Sequence, residues 1–217
     1  MKNILTIPLQ ILLKGKIFIP RPKIQLLAYY ILPLASLAAM VITAGFFQSQ
    51  EVSKDLGSLA MNLFLVILFV SPLRQIFPQM KIFTTINGLR RELGVLCMWL
   101  SLWHGLGYPL SEGPHGIAHW WHHMQWDHFY FWGTLGLIGM LVLEITSNNY
   151  SCRLFKRSWK KIHYIVYPTF LFALLHLIIL GELGYILIGI IYVSLRWLVW
   201  KKKKFKFAVI DTLKQLI

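Results

Sequence analysis

The sequence predicts an all-α fold, a polytopic membrane bundle of six transmembrane helices with both termini on the cytoplasmic side. Three observations carry this expectation. Hydrophobic residues make up 57% of the 217-residue chain and the mean hydropathy is +0.59, whereas soluble domains hold roughly 45–50% apolar residues. The apolar residues gather in six blocks, each near the ~20 residues that cross a hydrocarbon layer. The basic residues collect in alternate connections between those blocks.

The elements follow in order. Residues 1–24 form a cytoplasmic or interfacial segment: MKNILTIPLQILLKGK has a basic tip and an apolar stretch, but no small-residue cleavage motif, so it reads as an interfacial helix rather than a cleaved signal peptide. The blocks at 25–47, 57–78, 92–111, 128–147, 162–181 and 183–200 make one transmembrane domain over 25–200. Residues 201–217 form a basic cytoplasmic tail, and its run WKKKKFK suits anionic membrane lipid, each basic residue near the surface contributing about 1 kcal/mol. No internal repeat or low-complexity linker divides the chain. Cys97 lies in an apolar run and Cys152 in a basic loop, which is neither a disulfide framework nor a zinc or iron–sulfur spacing.

The formal net charge of +14 could suggest nucleic acid, yet the placement of the charges accounts for it. With the N-terminus inside, every one of the 22 lysines and arginines except Lys54 falls on the cytoplasmic side, as basic residues in membrane proteins do. Six spans achieve this and an odd number does not. The charge therefore reports topology, and no nucleic-acid partner is expected.

Orientation fixes depth. His104 comes 13 residues after Arg91, and His176 comes 15 residues after Lys161. At 1.5 Å per residue their side chains lie about 20 and 22 Å from the inner boundary, one level in the outer half of the bilayer. His163 sits instead at the cytoplasmic end, near the level of Arg90, Arg91 and Glu92.

Ionisable residues inside spans are costly and are functional candidates by default. Two imidazoles at one depth on parallel helices suit a heme, whose iron takes one axial imidazole from each side while the apolar macrocycle fills the space between helices. A bis-histidine iron has no open position, which favours electron transfer over oxygen chemistry. Gly94, Gly105 and Gly107 would let a flat ring approach the backbone. The alternative is that each histidine hydrogen-bonds a neighbouring helix, as polar residues in membrane bundles do.

The runs SPLRQIF, LRRELGVLCMWLSLWHGLGY and LEITSNNYSCRLFKRSWKKIHYIVYPTFLFALLH resemble the ferric reductase-like transmembrane domain family. Within it they are similar to the heme-binding subunits that serve protein-methionine-sulfoxide reductases. The motifs are R-R-x-L-G with a histidine 13 residues after the second arginine, T-S at the end of the fourth block, and W-K-x-x-H followed by a second histidine 13 residues on. The resemblance covers roughly residues 57–180. It implies a b-type cytochrome of the bacterial inner membrane with six helices, heme b held by His104 and His176, and His163 as a further iron ligand. It also implies a periplasmic molybdopterin enzyme that reduces oxidised methionine as partner, and quinol or a cytosolic flavin reductase as electron donor, so that quinone or FMN is a candidate second cofactor.

Larger relatives in that family carry two histidine pairs and two stacked hemes. Here Arg90 and Arg91 stand where the inner partner on the third helix would be, so the heme count is one or two. The two arginines suit propionates, because guanidinium pairs well with carboxylate, or else they anchor the helix at the inner boundary. His163 and His176 lie about 140° apart around an ideal helix. Pro168 between them removes a hydrogen bond and can change the local winding, and it is expected to bring the two toward a common side.

The loop SEGPHGIAHWWHHMQWDH departs from the family. It holds His115, His119, His122, His123 and His128 and no lysine or arginine. On a helix His119 and His123 could share a metal, with Asp127 the evident carboxylate to support them. Alternatively Trp120, Trp121 and Trp126 sit in the aromatic belt while the histidines meet solvent or a periplasmic partner. Glu92 and Glu144 are expected to pair with Arg90 or Arg91, or to take a proton from quinol. No G-x-G-x-x-G follows a strand and the tail is too short for a flavin or nicotinamide fold, so electrons arrive from another molecule. The sequence thus reads as an electron-transfer subunit rather than a complete enzyme. A ferric or other metal reductase, and a non-redox membrane anchor or transporter subunit, are the alternatives.

Overall fold

The computed structural model describes residues 21–46 and 49–215; the expected interfacial helix near the N-terminus lies outside them. Ten helices follow one another, with no strand among the described residues. The first, α1, is continuous through Arg21–Leu26, a wider π-helical turn at Leu27–Ile31, Leu32–Met40 and a second π-helical turn at Val41–Phe46. Then come α2 (Glu51–Ile76), α3 (Lys81–Gly88), α4 (Arg90–Ser111), α5 (Gly116–His122), α6 (Phe129–Ile145), α7 (Asn149–Phe155), α8 (Trp159–Ile162), α9 (Val166–Ile179) and α10 (Gly184–Gln215).

Each of the six expected blocks is a helix, but length and apolarity qualify four: Lys23–Gly45, Glu51–Ile76, Tyr150–Ile179 and Gly184–Lys202. The two that differ do so for opposite reasons. α6 is apolar yet only 17 residues long, short of the ~20 a straight crossing needs. α4 has 22 residues but carries Arg90, Arg91, Glu92 and His104 along its length. The chain is a multi-pass membrane protein, and its exposed surface agrees: Leu34, Leu187 and Val193 are all more than 60% exposed, as side chains that face lipid are.

Two helix pairs make the body of the bundle. α2 packs along α4, α6 packs along α9, and α4 joins the pairs by packing on α6. One apolar cluster centres on Phe64, Leu68, Cys97, Met98, Met140 and Phe170. A second, formed by Met40, Ala44, Leu56, Ala60 and Leu100, seals α1 against α2 and α4. Cys97 is fully buried and its thiol donates to the Ala60 carbonyl at 3.2 Å. α6 and α9 come close because residue 139 is glycine: a Cβ there would stand 2.1 Å from Thr169 Oγ1. The remaining helix, α10, crosses beside α2 and α9 and continues as a helix through the lysine run.

Candidate functional site

The structure brings His104 of α4 and His176 of α9 together with ring centres 6.1 Å apart and planes nearly perpendicular at 78°. Each ring is held the same way. His104 Nδ1 lies 2.8 Å from the Ser53 carbonyl oxygen in the first turn of α2, and His176 Nδ1 lies 2.8 Å from the Phe129 carbonyl oxygen that opens α6. A carbonyl oxygen only accepts, so both Nδ1 atoms carry the proton and both Nε2 atoms carry a lone pair. Ser53 reinforces its side by donating Oγ–H to the His104 carbonyl at 2.9 Å.

Two glycines make these contacts possible, each four residues after the carbonyl used. A helical carbonyl lies against the N–H of the residue four positions on, so a ring that reaches it must pass over that residue's α-carbon. A Cβ at residue 57 would stand 2.7 Å from His104 Nδ1, and one at residue 133 would stand 2.8 Å from His176 Nδ1. Of the glycines singled out in the sequence, Gly107 instead packs against Met40 and Gly105 against Leu137, while a Cβ on Gly94 would meet nothing within 4 Å. The sequence signal for Gly57 and Gly133 was present, a glycine one helical turn past the start of an apolar helix, but its partner histidine is remote in the chain.

His163 lies apart from this pair. Its ring lies tilted against Trp159 with centres 4.1 Å apart, and Trp159 Nε1 donates to the Thr146 carbonyl at 2.7 Å. The Thr146 hydroxyl gives its proton to the Val142 carbonyl at 2.7 Å, so His163 Nε2, 3.2 Å from that hydroxyl oxygen, is the donor. Its lone pair is therefore on Nδ1. His163–Ile165 is wound as a 3-10 turn just ahead of Pro168. Three steps at three residues per turn reduce the angle between His163 and His176 from about 140° to about 80°, the direction expected, though the two still do not share a face.

Arg90 Nη1 reaches Ser71 Oγ at 3.3 Å, and Arg91 is close enough to Glu144 to interact with it electrostatically. Glu92 does not pair as expected. Its Oε1 accepts from Gln25 Nε2 of α1 at 3.3 Å, and its Oε2 is a buried oxygen without a hydrogen bond.

At the other end of α4 the histidine-rich loop folds into α5, which places His119 and His123 on one face with ring centres 4.1 Å apart. The carboxylate that supports them is Glu112 rather than Asp127: Glu112 Oε2 is 2.6 Å from His119 Nδ1, and Oε1 accepts from the Tyr130 hydroxyl at 3.2 Å. His128 caps α6, its Nδ1 accepting from the Tyr130 amide at 3.3 Å. Ring contacts continue from His123 to His128, Phe129 and His176 at 5.0, 4.4 and 5.9 Å.

The half-buried pair fits a metal ion held between two imidazoles. Metal–nitrogen bonds of about 2 Å on both sides, with each ring centre a further ~1.1 Å away, place the centres about 6.2 Å apart, against the 6.1 Å found. Fixing Nδ1–H on a carbonyl is also how ligating histidines are oriented and made more basic.

Comparison with known proteins gives the same direction. The family model described as the ferric reductase like transmembrane component matches residues 56–174, more than half of the chain. Over 156 residues, 70% of this chain and 70% of the relative, the sequence is 27% identical to the protein-methionine-sulfoxide reductase heme-binding subunit MsrQ of Xanthomonas axonopodis pv. citri (strain 306). No solved structure matches.

Proposed function

The chain belongs to the ferric reductase like transmembrane component family, and on that premise we propose that it is a b-type heme subunit that passes electrons across the bacterial inner membrane. The observation that carries the reading is the pair His104 and His176, with both lone pairs on Nε2 and ring centres 6.1 Å apart. A heme there would be held by His104 and His176 and would supply a one-electron couple.

The chain's own residues do the rest. The Ser53 and Phe129 carbonyls fix tautomer and ring orientation, and Gly57 and Gly133 admit the rings. Arg90 and Arg91 are the propionate candidates. His163 is a candidate ligand for a second heme, and in that role it would have to give up its bond to Thr146. All six long helices cross, α6 and α4 included, with both termini on the cytoplasmic side where the basic residues gather.

The donor is quinol in the membrane or a cytosolic flavin reductase. The relative whose printed name is a heme-binding subunit of protein-methionine-sulfoxide reductase supports a protein-methionine-sulfoxide reductase as the acceptor, and the family resemblance implies that this acceptor is a periplasmic molybdopterin enzyme. A reduced-minus-oxidised visible spectrum, with heme per chain quantified, tests the reading. A low-spin b-type spectrum lost in His104→Ala and in His176→Ala is the expected result. A colourless protein after heme-replete expression would leave a membrane anchor or transporter subunit instead.

A further inference from the structure

His119 and His123 stand one helical turn apart, on α5 and at its C-terminal cap, with His119 exposed and His123 half-buried. Each has its Nδ1 proton committed: His119 to the Glu112 carboxylate at 2.6 Å, His123 to the His119 carbonyl at 2.9 Å. Neither acceptor can donate, so both Nε2 atoms carry lone pairs directed away from the helix backbone. This is the arrangement in which ligating histidines are held, one ring by a carboxylate and the other by a carbonyl. The rings are 4.1 Å apart at 65°. Two imidazoles bound side by side to one ion, with metal–nitrogen bonds of about 2 Å and an angle of 90–110°, have centres about 4.5–5.2 Å apart. A shift of about 0.4–1.1 Å between the rings, taken up by side-chain rotation of the exposed His119, closes that difference.

We propose that the loop between α4 and α6 carries a binding site for one late first-row divalent metal ion, formed by Nε2 of His119 and Nε2 of His123, with Glu112 as the residue that positions His119. Among the described residues no third histidine, cysteine or carboxylate completes a three-ligand group, so water fills the remaining positions. His128, the next ring in contact with His123, is occupied as the cap of α6. A two-imidazole, water-completed site takes Cu2+ most tightly and Zn2+ less so, following the general order for nitrogen ligands. The site stands on the loop alone and does not depend on what the half-buried histidine pair holds.

The test is a titration of the full chain in detergent, purified through a tag without histidine, with Cu2+ and in competition with Zn2+. Binding is followed by calorimetry and by nitrogen hyperfine structure in the Cu2+ paramagnetic resonance signal. One Cu2+ per chain is expected. His119→Ala and His123→Ala should each weaken it by about tenfold or more, and Glu112→Leu by a similar factor, because a lost supporting contact costs 10–100-fold in metal affinity. Glu112→Gln keeps an acceptor for His119 and should lose less than Glu112→Leu. His115→Ala and His122→Ala should change affinity by less than about twofold, since neither ring contributes a ligand. Helix content by circular dichroism establishes that each variant is folded. Absence of stoichiometric binding in the wild type, or equal losses from His115→Ala or His122→Ala, overturns the proposal.

Discussion

Replacing Gly57 by alanine places a methyl group where the structure has none. The new Cβ would lie 2.7 Å from His104 Nδ1 and 2.8 Å from Cε1, while unstrained contact needs about 3.4 Å or more. The ring must therefore retreat by about 0.7 Å, which stretches its bond to the Ser53 carbonyl from 2.8 Å to about 3.5 Å, beyond hydrogen-bonding range. Losing such a supporting contact costs a ligating histidine 10–100-fold in affinity, or about 1.4–2.7 kcal/mol. The helix itself gains about 0.5–1 kcal/mol from alanine in place of glycine, so fold stability changes little while cofactor affinity falls. The ring also becomes less basic, which destabilises ferric iron and raises the midpoint potential. The assay is heme affinity by titration of apoprotein, with potentiometry on the loaded form. Gly133→Ala should behave alike, its Cβ standing 2.8 Å from His176 Nδ1, and Gly94→Ala is the control because nothing lies within 4 Å of its Cβ. Full heme affinity and an unmoved potential in both Gly57→Ala and Gly133→Ala would refute the reasoning.

Three further outcomes follow from the same geometry. His104→Ala and His176→Ala should abolish the low-spin spectrum, while His163→Ala, whose ring is turned to Thr146 and Trp159, should leave it intact; heme per chain decides whether a second site is lost with it. The planes of the pair cross at 78°, so the oxidised protein should give the strongly anisotropic low-spin resonance of near-perpendicular axial imidazoles, and a rhombic signal of small anisotropy would show that the rings turn parallel when iron binds. Cys97 is buried and Cys152 partly exposed, so a membrane-impermeant maleimide should label Cys152 alone, in inside-out vesicles and not in right-side-out ones; labelling from the opposite side would reverse the proposed topology.

What could be read in the sequence was whatever lipid and chain geometry dictate locally. The helices were legible because a backbone in hydrocarbon must satisfy its own hydrogen bonds, and the meeting of His104 with His176 was legible because helix rise converts residue number into depth. The shortness of α6 was not, since its ends are set by His128 and Thr146 turning their side chains onto the backbone, an outcome of local capping. Glu112 was not legible as the partner of His119, because seven residues and an intervening turn separate them in the chain. Gly113 with φ of 81° allows the turn that folds α5 back toward Glu112.

The repeated unit of carbonyl, glycine four residues on and opposing imidazole explains why backbone rather than side chains holds the pair. A carboxylate partner would orient each ring as well, but it would bring a charge into the bilayer at a cost of about 2.5–3.5 kcal/mol or more. A first-turn carbonyl is already a dipole fixed by the helix and adds no charge. It also ties each ring to its neighbour's position: His104 to α2 and His176 to α6, the helices on which α4 and α9 pack most extensively. Ring spacing is therefore set by the packing of two helix pairs against each other, and the small residue at that seam, Gly105 of α4 against Leu137 of α6, controls it as directly as the histidines do.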